Sequence, residues 1–302
     1  MRRKVVRQGD NALTVTLPAQ WTKEHNVRAG DEIEIVKKGT VLEMYPLTQK
    51  RNKTTTITVT GAGSAVKRMV TATFKAGFDE IIIRFSTSEE LAEIETAIEK
   101  EFVGFEILEV HSNYIHLKKI ASIQGTEFDA LFRKIWQSLL TIAEDTSQEI
   151  GKNKDSLKLI AMRDKNINKL TNVCRRAINE QTLGSSYALG PLYLICESLE
   201  KIGDVYRDIC LFDCKIEKEM KKQLNTVTFF LRKTYDLYYN FSTTSYKAYC
   251  EEYHIIKHAL KKISFTSKNK DYYIFINQIL SLTFDLNGSI AVYHFNKDTT
   301  SK

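Results

Sequence analysis

Proline is scarce in this chain: three among 302 residues, of which only Pro191 lies beyond residue 125. Long stretches are therefore free of the residue that breaks a helix most strongly. Cysteine is also sparse. The five (Cys174, Cys196, Cys210, Cys214, Cys250) include no Cys-x-x-Cys pair. An odd set without a regular framework excludes a disulfide scaffold and fits reduced thiols. Cys210 and Cys214 fall on one face of an expected helix, either as a soft-metal or redox pair or as buried apolar side chains. No apolar run reaches the roughly 18 residues that span a bilayer, and the charged amino terminus has no apolar segment behind it. We therefore expect a soluble, cytoplasmic protein without a secretory signal or membrane insertion.

Catalytic patterns are missing too. There is no Gly-x-Ser-x-Gly elbow and no Walker-type phosphate loop. The single His-x-x-x-His pair, His254 and His258, has Ile255 where a zinc protease needs glutamate. No nucleophile or base is identifiable, so the chain is expected not to be an enzyme.

What is present is charge at one end. The formal net charge is +7, and residues 1–53 hold eleven Lys or Arg against six Asp or Glu. A basic end on a nearly neutral body fits a polyanionic partner, nucleic acid before anionic membrane, or a solubilising tail.

Three regions follow along the chain. In the first, residues 1–50, Val5-Val6 begins a strand and Gly9-Asp10-Asn11 turns it. Leu13, Val15 and Leu17 alternate with Thr14 and Thr16, the pattern of a strand with one buried face. Pro18 starts a short helix over residues 19–25. Ala29-Gly30-Asp31 and Gly39 turn the chain around strands at Ile33/Ile35 and Val41–Met44. About fifty residues hold too little core to be stable alone, so this region needs a partner, most simply a second copy.

The second region, 54–120, reads β-α-β-α-β-β, a small α/β sandwich. Its helices are expected at 64–76 and 89–102. The turn Gly61-Ala62-Gly63-Ser64 either offers backbone N–H groups to an anion or is a tight turn capped by Ser64.

The third region, 125–297, carries apolar residues at helical spacing in six segments: 127–150, 155–183, 190–214, 216–241, 245–265 and 270–295. Turn residues such as Gly184-Ser-Ser186 and the stretch from Thr266 to Lys270 separate them. The pattern around Asp204 is echoed around Asp285, 81 residues later, which fits two three-helix repeats in a bundle.

Two sets of residues are candidates for function. Arg2, Arg3, Lys4 and Arg7 are suited to phosphate contacts; Thr14 and Thr16 place hydroxyls outward; Lys23 and Arg28 extend the basic surface. Glu200, Asp204 and Asp208 lie four apart on one helix face. Either Lys201 and Arg207, three residues to each side of Asp204, neutralise that row, or it binds a metal through oxygen together with Asp164.

Leu13-Thr-Val-Thr-Leu-Pro18, Trp21 and Ala29-Gly-Asp31 with Ile33 and Ile35 resemble an AbrB-type (SpoVT-AbrB) DNA-binding domain. Leu199-Glu-Lys-Ile-Gly-Asp204 resembles the signature of PhoU-type helical bundles, and Asp164-x-x-Ile167-Asn168 an acidic motif on their preceding helix. Residues 76–79 and 103–107 are similar to the connecting segment of archaeal proteins that join the two. Thr14 stands where AbrB-type domains often carry arginine, and Asn168 and Ser281 stand at acidic positions of PhoU motifs. The resemblance implies a multidomain α+β chain: a swapped-hairpin dimeric domain, the α/β sandwich and an all-α PhoU-like bundle. It further implies a homodimeric regulator that binds duplex DNA and serves phosphate homeostasis, with a divalent or iron-type metal at Asp164, Glu200, Asp204 and Asp208. The alternative it leaves is an adaptor that docks on a phosphate transporter or a signalling kinase and uses its AbrB-like end only to dimerise.

Overall fold

Alternation at the amino terminus produces a hairpin. In the computed structural model, β1 (Val6–Gln8) pairs antiparallel with β2 (Ala12–Thr14), with Val6 opposite Thr14. Gly9 has φ +74°, the left-handed backbone a tight turn requires. Described residues are 2–38, 41–46, 52–121, 125–180, 183, 188–212, 215–263 and 270–299. The turns expected at Gly39, Gly184–Ser186 and most of Thr266–Lys270 lie outside them, as does Cys214.

The chain divides into two units, Met1–Asn52 and Lys53–Lys302. In the first, Pro18 takes the N-cap of α1 (Ala19–Glu24) in extended conformation. The helix ends in a Schellman arrangement: Asn26 turns left-handed at φ 52°, and the Val27 N–H reaches the Thr22 carbonyl at 2.8 Å. A second hairpin joins β3 (Ile33–Lys38) to β4 (Val41–Pro46). The expected buried face is not formed by one chain. β2 stops at Thr14, and Leu13 and Val15 are 73% and 47% exposed. Among the described side chains of this unit only Pro46 is buried. The two hairpins form separate two-stranded sheets, so no second layer covers the alternating apolar residues.

The second unit begins with a four-stranded sheet in the order β5-β6-β8-β7. These strands are β5 (Thr54–Thr58), β6 (Glu80–Arg84), β7 (Phe105–Val110) and β8 (Tyr114–Lys119). β5 and β6 run parallel and the other pairs antiparallel, with a bulge between Ile107 and Glu109. The crossovers are α2 (Val66–Lys75) and α3 (Ser88–Glu101). Ile81, Ile83, Ile115 and Leu117 alternate inward, and meet Val70, Phe74, Ile94 and Ala97 from the helices. Thr87 and Glu90 form a capping box that starts α3.

The helices α4 (Gly125–Glu149), α5 (Lys154–Met162), α6 (Asp164–Asn179) and α7 (Leu189–Leu211) follow. The rest are α8 (Lys218–Tyr239), α9 (Thr243–Lys261) and α10 (Lys270–Thr299). The single helix expected over 155–183 is two. At Arg163 the ladder tightens to i→i−3 bonds: the Arg163 N–H donates to Ile160 and the Asn166 N–H to Arg163, each at 3.0 Å. Arg163 stays in the right-handed helical region, so hydrophobic periodicity carries no sign of the break. One core runs through all seven helices, around Trp136, Phe132, Leu199, Tyr206, Phe230, Tyr272 and Ile290. Among the described residues no helix is long and apolar enough to cross a membrane.

α6 also joins the α/β layer. Its Val173 belongs to the core beneath the sheet. The last carbonyls of α2 have no partners within their own helix, and α6 side chains supply them. Arg176 donates to the Phe74 carbonyl at 2.9 Å and Asn179 to that of Lys75 at 2.7 Å. The buried Arg176 guanidinium also lies 2.6 Å from Glu180 and 4.7 Å from the centre of the Phe105 ring. Arg176→Met leaves the Phe74 carbonyl with only the Gly77 N–H at 3.1 Å and Glu180 with only Lys119 at 3.2 Å, so we expect a loss of about 2 kcal/mol. Urea unfolding followed by circular dichroism measures it.

Candidate functional site

Arg2, Arg3, Lys4, Arg7, Lys23 and Arg28 are exposed. Arg2, Arg3 and Lys4 lie on the extended segment entering β1. Lys23 sits in the last turn of α1, and Arg28 just beyond it. Arg28 is fixed through its backbone, whose N–H donates to Asp31 at 2.7 Å, so its side chain remains outward. Three of the expected contacts are less free. Arg7 donates from Nη2 to the Asp10 carbonyl at 2.8 Å and so holds the hairpin turn. The Thr14 hydroxyl donates to the Val6 carbonyl at 3.2 Å, which leaves it as an acceptor toward any partner. Thr16 is exposed, but it lies past the end of β2 rather than on a strand face.

The turn at Gly61–Ser64 does hold an anion, and it is the protein's own. The Glu90 carboxylate accepts from the Gly61 N–H at 2.6 Å, the Ser86 N–H at 2.8 Å and the Thr87 N–H at 3.2 Å. Backbone donation, from Ser86 first and Gly61 next, holds Glu90 below the usual carboxylate range. Ser64 is not a cap: residues 63–65 form a short 3₁₀ turn that begins at Ala62 without a side-chain cap.

The acidic residues are divided between two arginines. Arg207 reaches Asp164 from Nη1 at 3.0 Å, Asp208 from Nη2 at 2.9 Å, and also Asp204. Glu200 is drawn away to Arg175 on α6, which also binds Glu197. Arg175 is 1% exposed, and the side-chain Oδ1 of Asn172 accepts from it at 2.8 Å. Lys201, expected beside Asp204, is instead 3.7 Å from Glu197. Sequence reasoning missed Arg175. The available signal was the arginine pair 175–176 inside an apolar helical run, where burial demands partners.

The metal expected at Asp164, Glu200, Asp204 and Asp208 does not fit this arrangement. A guanidinium already lies between three of the carboxylates, and Glu200 serves the other arginine. The remaining oxygen of Asp164, Oδ1, faces Gly203, where a Cβ would come within 3.0 Å. Glycine there permits α6 and α7 to approach. Among the described residues no three His, Cys, Asp or Glu side chains are placed to hold a metal ion. His254 and His258 lie on the exposed face of α9. Cys210 is buried, with the Thr146 hydroxyl 3.1 Å from its sulfur.

Burial, and next the Asp204 carboxylate, push Asp164 above the usual carboxylate range, while Arg207 opposes the rise. A raised folded-state value means that the native protein holds this proton more tightly than the unfolded chain. Stability from this group is therefore fullest below the unfolded value, about 3.9, and falls as pH rises through the folded value. Arg207→Met removes the opposing charge and extends that window upward. We expect the variant to lose about 2–3 kcal/mol at neutral pH and to regain much of the deficit as pH falls. Urea midpoints of parent and variant from pH 7 to pH 4 check it; a pH-independent difference would remove the assignment.

Residues 6–52 match the family model described as antidote-toxin recognition MazE, bacterial antitoxin. The first unit thus carries a MazE/AbrB-type domain on an α+β chain whose remaining body is mostly helical. No curated protein and no solved structure matches the chain.

Proposed function

We propose that this protein is a homodimeric, DNA-binding transcriptional regulator, a binding protein rather than an enzyme. The observation that carries the reading is the MazE/AbrB-type unit over residues 6–52, which lacks a core in one chain. Leu13, Val15, Ile35, Val41 and Leu42 are all about half exposed or more, and a second copy swapping hairpins would bury them. Such a dimer carries two sets of Arg2, Arg3, Lys4, Lys23 and Arg28, a cationic face suited to a duplex.

The helical body is the sensor in this reading. Its tie to phosphate uptake rests on the resemblance of Leu199–Asp204 to the PhoU signature, and it works without a metal at that row. Binding of the full chain to duplex DNA at low salt tests the first part. Enrichment of genomic fragments by the purified protein, with and without phosphate, tests the second: identical fragments and yields remove the phosphate link. A dimer that retains no duplex even at low salt would favour an adaptor that docks on a transporter or kinase.

A further inference from the structure

A cleft of about 650 Å³ lies within the second unit, between the α2/α3 side of the α/β layer and the ends of α5, α6 and α7. Its size is that of a small-molecule site. Six cationic side chains line it against three carboxylates; three of the cations are paired, Lys67 with Glu101, Lys158 with Asp155 and Arg207 with Asp164, Asp204 and Asp208. Two of the lining acids are already engaged. Asp164 is held by Arg207, and Glu101 by Lys67 at 3.3 Å and by Asn172. Lys100, Lys165 and Lys169 are exposed and pair with no carboxylate among the described residues. Lys165 and Lys169 stand four apart on α6, so they present their ammonium groups on one face.

The rest of the wall is apolar. Met162 and Leu211, at the ends of α5 and α7, are 61% and 58% exposed although they border a concave surface. Bare phosphate would satisfy the lysines and leave these two in water. A ligand with several anionic oxygens and a flat apolar part covers both, and a polarisable methionine suits contact with an aromatic ring. A duplex is too wide to enter a cleft of this volume, though it would meet lysines on an open face.

We propose that this cleft binds a nucleoside polyphosphate, with its phosphates on Lys100, Lys165 and Lys169 and its base against Met162 and Leu211. The inference is independent of the DNA-binding reading, since every residue belongs to the second unit.

The test is calorimetric titration of the full chain with ATP, with pyrophosphate and with a short duplex. Saturable ATP binding is expected, about tenfold or more weaker in Lys165→Glu/Lys169→Glu. Met162→Ala should weaken ATP but leave pyrophosphate unchanged, since it removes apolar contact without adding charge. Both variants change exposed side chains, and their unfolding midpoints should match the parent. No ATP binding at millimolar concentration, or equal affinity in the lysine variant, overturns the site. Pyrophosphate as tight as ATP overturns the nucleotide assignment. Displacement of ATP by duplex in the parent, lost in the lysine variant, makes the cleft a DNA contact and overturns the small-molecule reading. Loss of duplex binding elsewhere, with ATP binding intact, would count against the proposed function and not against this site.

Discussion

The triple variant Arg2→Ala/Arg3→Ala/Lys4→Ala is expected to bind duplex DNA on the order of a hundredfold more weakly at low salt, with a much flatter salt dependence. Each phosphate contact displaces condensed counterions and contributes about 0.9 to the slope of log K against log salt. Three residues on each of two protomers therefore reduce the slope by about 5 if all of them touch phosphate. These side chains are exposed on an extended segment, so their removal costs no packing. Arg7→Ala should behave differently. Its guanidinium holds the Asp10 carbonyl, so part of its effect is a weakened hairpin, visible in stability as well as in affinity. Fluorescence anisotropy across a salt series separates the two, because loss of a phosphate contact changes the slope whereas a loosened hairpin changes the intercept. An unchanged slope in the triple variant would take these residues out of the interface.

Local pattern made much of the secondary structure legible. The β-α-β-α-β-β order expected over 54–120 is the order observed. The helix expected over 89–102 lies one residue from α3 at each end, whereas the capping box of Thr87 and Glu90 that starts it was not read from the sequence. The site was harder to read because its partners are not contiguous. Spacing placed Glu200, Asp204 and Asp208 on one helix face, but not the arginine that takes Glu200 away. Arg175 comes from the preceding helix, at a register fixed by the close approach at Gly203. Similarly, the turn at Gly61 read either as an anion cradle or as a turn capped by Ser64, and what decides between them, Glu90, lies 29 residues further on.

This division changes the meaning of the acidic row. Four carboxylates on one face of α7, with Asp164 opposite, would repel one another if left bare. With Arg175 buried beneath two of them and Arg207 folded over the other two, the row becomes a seam that fixes α6 against α7. The same α6 binds the α/β layer through Arg176 and Asn179. A ligand in the lysine-lined cleft would touch α6 at Lys165 and Lys169, on the helix to which both neighbours are fastened.

Leu13→Asp/Ile35→Asp should abolish the dimer and unfold the first unit while the second remains folded. Full burial of each aliphatic side chain is worth about 1.5–3 kcal/mol, and two positions on two protomers place up to about 12 kcal/mol in the swapped contact. That is comparable to the whole stability of a small domain. Aspartate also places a charge where the partner's apolar residues would lie, so neither protomer can compensate by repacking. Sedimentation velocity should show a monomer across micromolar concentrations, whereas the parent dissociates only on dilution. The melting transition of the helical body should keep its midpoint, because no residue of its core is altered. DNA binding should fall with the dimer even though every basic side chain remains in place. That separates the scaffold from the grip: the alanine variant loses affinity as a dimer, and the aspartate variant loses it by ceasing to be one. A stable dimer in the aspartate variant would move the contact between copies out of the first unit, and the exposed aliphatic side chains of β2 and β3 would then need another occupant.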